Sequence, residues 1–306
     1  MASGGDQRSL EDQKALSLLT MTHTSWHEYR HIRPKHTVAG HLIMSDPVYS
    51  PQLNNSRHLL VWLPNSYDTT GRTRHYPVLY MHDGQNLFDA YTSFSGEWQV
   101  DETMCRLEDE GYEAIIVGLP NNERRIHEYS PYSAINMRVM QGQGDDYLRY
   151  ITDTVKPLID STFRTRPERE FTGIAGSSMG GLISLYAYLC HGHTFGFAGA
   201  FSPAYWFGSS AIFDTVEHSR YMPGRLYLDI GTDEGGMSKQ RMRGTANYYV
   251  YGVQRLADAL RGQGYRDGES FQYVEEPGAG HTESAWARRL PDALRFLLPR
   301  PWEMES

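Results

Sequence analysis

The sequence predicts an α/β layered fold, and three observations carry that prediction. Strand-length apolar bursts alternate with helix-length amphipathic stretches, the earliest bursts follow one another without a helix, and no repeat or low-complexity run divides the chain. The bursts are residues 58–63, 77–82, 114–119, 171–176, 197–201 and 225–231. Between most of them lie stretches 99–110, 145–159, 179–191, 246–261 and 283–298. There apolar residues recur every three or four positions, as Tyr147, Ile151, Val155 and Ile159 do. The helix-free region 37–63 predicts an antiparallel start to a sheet that becomes parallel later, about eight strands in all. Residues 1–36 are polar, punctuated by Trp26 and Tyr29, and read as an arm laid against one main domain spanning 37–306.

Composition excludes several classes. The 306 residues are 40% hydrophobic, enough for a sizeable core, and 37 acidic against 29 basic residues give a formal charge of -8. That balance argues against a nucleic-acid partner. No stretch approaches the roughly 20 apolar residues of a membrane span, and the first residues lack the apolar centre of a secretory signal, so a soluble cytoplasmic protein without membrane contact is expected. Cys105 and Cys190 could form one optional bridge and are too few for a cysteine-based zinc site. Nothing in the sequence speaks to oligomeric state.

The segment with the most chemistry is 171–181, where Gly176, Ser178 and Gly180 form Gly-x-Ser-x-Gly between an expected strand and an expected helix. A sharp strand-to-helix turn exposes the middle residue, and glycine at both flanks leaves room for the chain to fold back. The helix beginning near Met179 aims its free N–H groups at the same spot, which favours an oxyanion. The plainer explanation is a glycine-rich helix entry. A phosphate loop is excluded because no Gly-Lys-Ser/Thr follows the glycines.

A serine hydroxyl needs a histidine to take its proton and a carboxylate to orient that histidine, and in α/β-hydrolases the chain order is serine, acid, histidine. His281, after a last expected strand at 271–274 and the loop Gly278–Gly280, is the candidate base. His23, His27, His31, His36, His41, His191 and His193 are placed as surface histidines. His23 and His27 have the spacing of a helical metal pair, but Thr24 stands where a zinc protease carries its glutamate. The acid falls in 225–236, a strand running into a glycine-rich loop with Asp229 inside the strand and Asp233 and Glu234 beyond it.

The Ser178 turn, Tyr80-Met-His-Asp83-Gly84-Gln85, Glu128-Tyr-Ser-Pro131, Gly231-Thr-Asp-Glu234 and Gly280-His281 together resemble the putative-esterase branch of the α/β-hydrolases. That branch includes esterase D, enterochelin-type siderophore esterases, feruloyl esterases and mycolyltransferases. The likeness covers roughly residues 40–298. It implies the α/β-hydrolase fold, no cofactor and no metal, Glu234 as the acid with Asp233 as runner-up, and oxyanion-hole N–H groups at Gln85 and Met179. His82 and Asp83 could be taken for a metal pair, although aspartate before glycine is ordinary turn chemistry.

The expected activity is a serine carboxylic-ester hydrolase acting by Ser178, His281 and Glu234 through an acyl-enzyme on a small-molecule or saccharide ester. Its rivals are an acyltransferase of the same fold and a non-catalytic binding protein that keeps the frame. Trp98, Tyr129, Tyr205 and Trp206, with Tyr132, flank the expected strand ends and could line an aromatic pocket, or simply be packed. Arg124 and Arg125 are expected to pair with Glu128 rather than with a substrate anion. The stretch 133–144, with Met137 and Met140, reads as a lid.

Overall fold

A computed structural model of the chain describes residues 24–69, 73–134, 139, 141–235 and 248–299. Its strands are β1 (Trp26–Glu28), β2 (His41–Ser45), β3 (Val48–Ser50), β4 (Asn55–Arg57), β5 (Leu60–Leu63), β6 (Val78–His82), β7 (Ile115–Leu119), β8 (Thr172–Ser177), β9 (Phe197–Phe201), β10 (Arg225–Gly231) and β11 (Phe271–Glu276). Nine of them form one sheet in the order β1-β2-β5-β7-β6-β8-β9-β10-β11, while β3 and β4 make a separate hairpin. Pairing is antiparallel from β1 to β7 and parallel from β7 to β11. The central strands are buried on both faces, which is why β6, β7 and β9 carry uninterrupted apolar runs rather than alternation.

Successive side chains of one strand serve different layers. Val78 and Tyr80 of β6 enter one apolar cluster and Leu79 and Met81 the other. The first cluster is closed by α1 (Gly144–Tyr150), α2 (Lys156–Thr162), α3 (Met179–Cys190) and α4 (Tyr248–Gly262). The second is closed by α5 (Glu283–Leu297) and by the helix Val100–Glu108. The expected continuous helix 145–159 is divided: a π-helical stretch, Ile151–Val155, separates α1 from α2.

The polar start of the chain does more than lie on the body. From Trp26 it supplies β1, which pairs with β2, and Tyr29, which is buried and donates its hydroxyl proton to Asp89 Oδ2 at 2.8 Å. Cys105 and Cys190 are both free thiols. Among the described residues no helix is long and apolar enough to cross a membrane.

Candidate active site

Ser178 stands between β8 and α3 with φ 56° and ψ −117°, a conformation that a residue bearing a side chain adopts only at a cost of about 1–3 kcal/mol. The surroundings hold it there. Its N–H donates to the Phe201 carbonyl at 2.9 Å, and its carbonyl accepts from the Leu182 N–H at 3.0 Å and the Ala204 N–H at 2.9 Å. A Cβ at Gly176 would lie 2.8 Å from His82 Cδ2 and 3.1 Å from the backbone of Gly180, so only glycine permits this crossing. The serine stays partly accessible while every residue of β8 before it is buried.

Two strands away, the loop after β10 meets the loop after β11. His281 Nδ1 lies 2.7 Å from Glu234 Oε2. Glu234 is 2% exposed, whereas the neighbouring Asp233 is exposed and turned outward. The second oxygen of Glu234 accepts from the Gly231 N–H at 2.8 Å and the Ser202 hydroxyl at 2.5 Å. Ser202 follows Phe201, whose carbonyl holds the Ser178 N–H, so one turn after β9 ties the serine elbow to the carboxylate. Trp286 Nε1 and Arg289 Nη2 donate to Ser202 Oγ at 2.9 and 3.1 Å, and the Trp286 ring packs edge-on against His281 at 4.9 Å.

Beneath them, Asp229 is wholly buried. Arg289 Nε donates to it at 2.7 Å, Tyr227 OH at 3.0 Å and the Ser202 N–H at 2.8 Å. Burial pushes this carboxyl up, to about 6, against the opposing pull of Arg289. Ser202, Trp286 and Arg289 were not legible as site residues. The one available signal was Arg289 itself, a charge set among the apolar positions Trp286, Leu290 and Ala293 of a helix face.

The third wall comes from the end of β6. Asp83 adopts a left-handed conformation, φ 57°, and is followed by a 3-10 turn, Gly84–Asn86, that carries Gln85. The Gln85 carbonyl accepts from Thr92 Oγ1 at 2.8 Å and its side-chain oxygen from the Asn121 N–H at 3.1 Å. Burial would raise the Asp83 carboxyl, but Arg125, donating to both oxygens at 2.7 and 2.8 Å, more than reverses this and holds it below its ordinary range. His82 is buried, its Nδ1 lies 2.8 Å from Tyr147 OH, and desolvation lowers its pKa to about 3. With Asp83 clamped by Arg125 and His82 against Tyr147, this pair is engaged within the protein rather than presented to a metal.

Several sequence-based expectations change. Arg125 pairs with Asp83 and Arg124 with Gln143, while Glu128 is held by Arg57 at 3.0 Å, by Asn55 at 2.9 Å and by Asn122 at 3.2 Å. The expected pairing of Arg124 and Arg125 with Glu128 is therefore corrected, because the fold brings a buried arginine from β4 to that glutamate. Trp98 is 3% exposed, packed on Phe201 and Trp286, and Tyr129 is fully buried with its hydroxyl accepting from the Asp83 N–H at 3.2 Å. Both present no surface to a ligand and support the walls from behind. Tyr205 is half-buried, its hydroxyl donating to the Tyr248 carbonyl at 2.5 Å, and Trp206 is exposed; both follow Ala204, whose N–H donates to the Ser178 carbonyl. Gln85 also borders a cleft of about 430 Å³ shared with Tyr29, Arg33, Arg57, Tyr91 and Asn121. Residues 135–138 and 140 of the expected lid, with His23 and Gly236, lie outside the described residues.

Comparison with known proteins gives the family and the fold. The family described as Putative esterase matches residues 50–297. The uncharacterized protein YbbA of Bacillus subtilis (strain 168) is 27% identical over 249 residues, covering 79% of this chain and 92% of its own. Among solved structures, the BES protein from Bacillus cereus superposes with a TM-score of 0.67 at 19% identity, over 87% of this chain and 97% of its own. An IroE-like serine hydrolase from Shewanella oneidensis gives 0.65 at 21%, over 82% and 78%. The enterobactin esterase FES from Shigella flexneri gives 0.61 at 18%, over 81% and 57%. With an α/β-hydrolase sheet, a serine on its sharpest turn and a family match over most of its length, the chain belongs to the Putative esterase family and is a carboxylic ester hydrolase.

Proposed function

We propose that the chain cleaves small-molecule esters through a Ser178, His281 and Glu234 triad and an acyl-enzyme intermediate. The observation that carries this is the 2.7 Å contact between His281 Nδ1 and the buried Glu234, tied through the Ser202 turn to the strained Ser178 elbow. With Nδ1 engaged by the carboxylate, the proton sits there and Nε2 is left as the base. Ser178 Oγ attacks the ester carbonyl as His281 Nε2 takes its proton. The tetrahedral oxyanion is met by the N–H groups of Met179, at the start of α3, and Gln85, in the turn after β6. His281 then returns the proton to the departing alcohol, and water activated by the same nitrogen releases the acid.

Structural neighbours include an enterobactin esterase and a ferulic acid esterase, and the exposed Trp206, with the half-buried Tyr205, closely follows Ala204, whose N–H donates to the Ser178 carbonyl. Esters with an aromatic acyl group are accordingly the proposed substrate class. A panel of chromogenic short-chain, feruloyl, acetyl-sugar and siderophore esters, assayed with the parent and with Ser178→Ala, tests both parts. The parent is expected to favour the aromatic esters, and the variant to lose at least about 10³-fold in kcat. Activity of pure Ser178→Ala within a few-fold of the parent would remove Ser178 from the mechanism.

A further inference from the structure

On the side of the sheet away from α3, three carboxylates converge where the helix Val100–Glu108 begins. One oxygen each from Glu97, Asp101 and Glu102 lies within 4.8 Å of the others. Asp101 is wholly buried. Its Oδ2 accepts from the Ala39 N–H at 2.6 Å, but Oδ1, shut off from solvent, faces no donor, and the same is true of Glu102 Oε2. Glu97 Oε1 accepts from Thr37 Oγ1 at 3.1 Å, and that hydroxyl also reaches Asp89 Oδ1 at 3.3 Å. Among the described residues no lysine, arginine or histidine forms an ion pair with Glu97, Asp101 or Glu102. The helix start offers a partial positive charge of about half a unit, far short of three carboxylates.

A buried carboxylate oxygen without a donor is costly, and a cluster of acids raises that cost by mutual repulsion. A cation relieves both. We infer that Glu97, Asp101 and Glu102 bind a hard divalent cation of the calcium class. All three donors are carboxylate oxygens, which suit calcium or magnesium and not a soft metal. Calcium, with oxygen ligands at about 2.3–2.6 Å, accepts donors up to about 5 Å apart across the ion, whereas magnesium at about 2.0–2.1 Å draws them to within about 4.2 Å. Donor oxygens that all lie within 4.8 Å of one another fit the calcium span, and magnesium, which keeps several of its waters, is less suited to an all-protein set of carboxylates. The ion would join the segment Thr37–Ala39 to the loop carrying Trp98, whose ring packs on Trp286 at 5.6 Å. This site is separate from the serine chemistry and does not depend on it.

The experiment uses the full chain after chelator treatment. Terbium luminescence excited through tryptophan is expected to saturate at one equivalent and to be displaced by calcium, with calcium raising Tm by a few degrees and magnesium by less. Glu97→Gln and Glu102→Gln, at partly exposed positions that tolerate an isosteric amide, are each expected to weaken calcium binding at least about tenfold. A Tm indifferent to calcium up to about 10 mM, roughly tenfold beyond the weak end of natural calcium sites, would overturn the inference and leave a proton shared between Asp101 and Glu102 in its place. Calcium binding unchanged in both glutamine variants would equally overturn it by putting the ion elsewhere on an acidic chain.

Discussion

Ser178 holds a backbone conformation that its neighbours impose, and the pattern of residues around it announced this: Gly176 is needed because His82 and the first turn of α3 leave no room for a Cβ there, while a Cβ at Gly180 would press on His82 at 3.3 Å. The neighbouring carboxylates Asp233 and Glu234 were not separable by spacing on physical grounds alone. Geometry separates them, since Glu234 turns inward to His281 while Asp233 is exposed. In Glu234→Gln, the amide oxygen can keep the Gly231 and Ser202 hydrogen bonds, which turns the amide NH2 toward His281 Nδ1. That forces the proton onto Nε2, where it blocks the base. A loss on the order of 10⁴-fold in kcat is expected, against a few-fold at most for Asp233→Asn. Steady-state rates of both variants on one activated ester decide this, and a crippled Asp233→Asn would reverse the assignment.

Elements carry the support behind these residues. One turn of α5 brings Trp286 and Arg289 under Ser202, and β10 brings Asp229 to Arg289. Replacing Arg289 with Met leaves a buried carboxylate without its partner, so unfolding free energy is expected to fall by about 3–5 kcal/mol at pH 8. The loss should shrink at pH 5, because Asp229, already raised by burial, then takes up a proton and needs no counter-charge. Denaturant melts at the two pH values check this, and an equal loss at both would contradict it.

At the end of β6, His82 is a base whose pKa is lowered on folding to about 3, so the unfolded chain binds the extra proton between that value and the ordinary one of about 6.5. Its contribution is complete above about pH 6.5 and is lost as pH falls, with a slope of up to about 1.4 kcal/mol per unit. His82→Asn is expected to flatten stability between pH 6.5 and 5, before most carboxylates titrate. Parallel curves for parent and variant over that range would refute the point.

Across the whole molecule, the sheet ends on one side at β1, a three-residue strand that covers the longer β2. Deleting the chain through Ile32 strips that cover, removes the buried Tyr29 and breaks the packing of Trp26 on Phe163, whose rings are 5.0 Å apart. An uncovered apolar strand is a template for pairing with another chain. The truncated protein is expected to melt several degrees lower and to associate, as seen by calorimetry and light scattering. An unchanged Tm with a monodisperse profile would count against a structural role for this segment.

The sequence alone determined what depends on near neighbours. Alternation of apolar bursts and amphipathic stretches determined the layered α/β class, and strand-turn-helix chemistry placed Ser178, because both are local consequences of side-chain period and glycine geometry. Tertiary structure alone decided which distant residues meet. Glu234 and His281, 47 positions apart, Arg289 and Asp229, 60 apart, and Arg57 and Glu128, 71 apart, come together only through the order of strands. The same order buried Trp98 and Tyr129 and left Tyr205 and Trp206 accessible. Burial and pairing of this kind are properties of the packed sheet, and no periodicity within one segment encodes them.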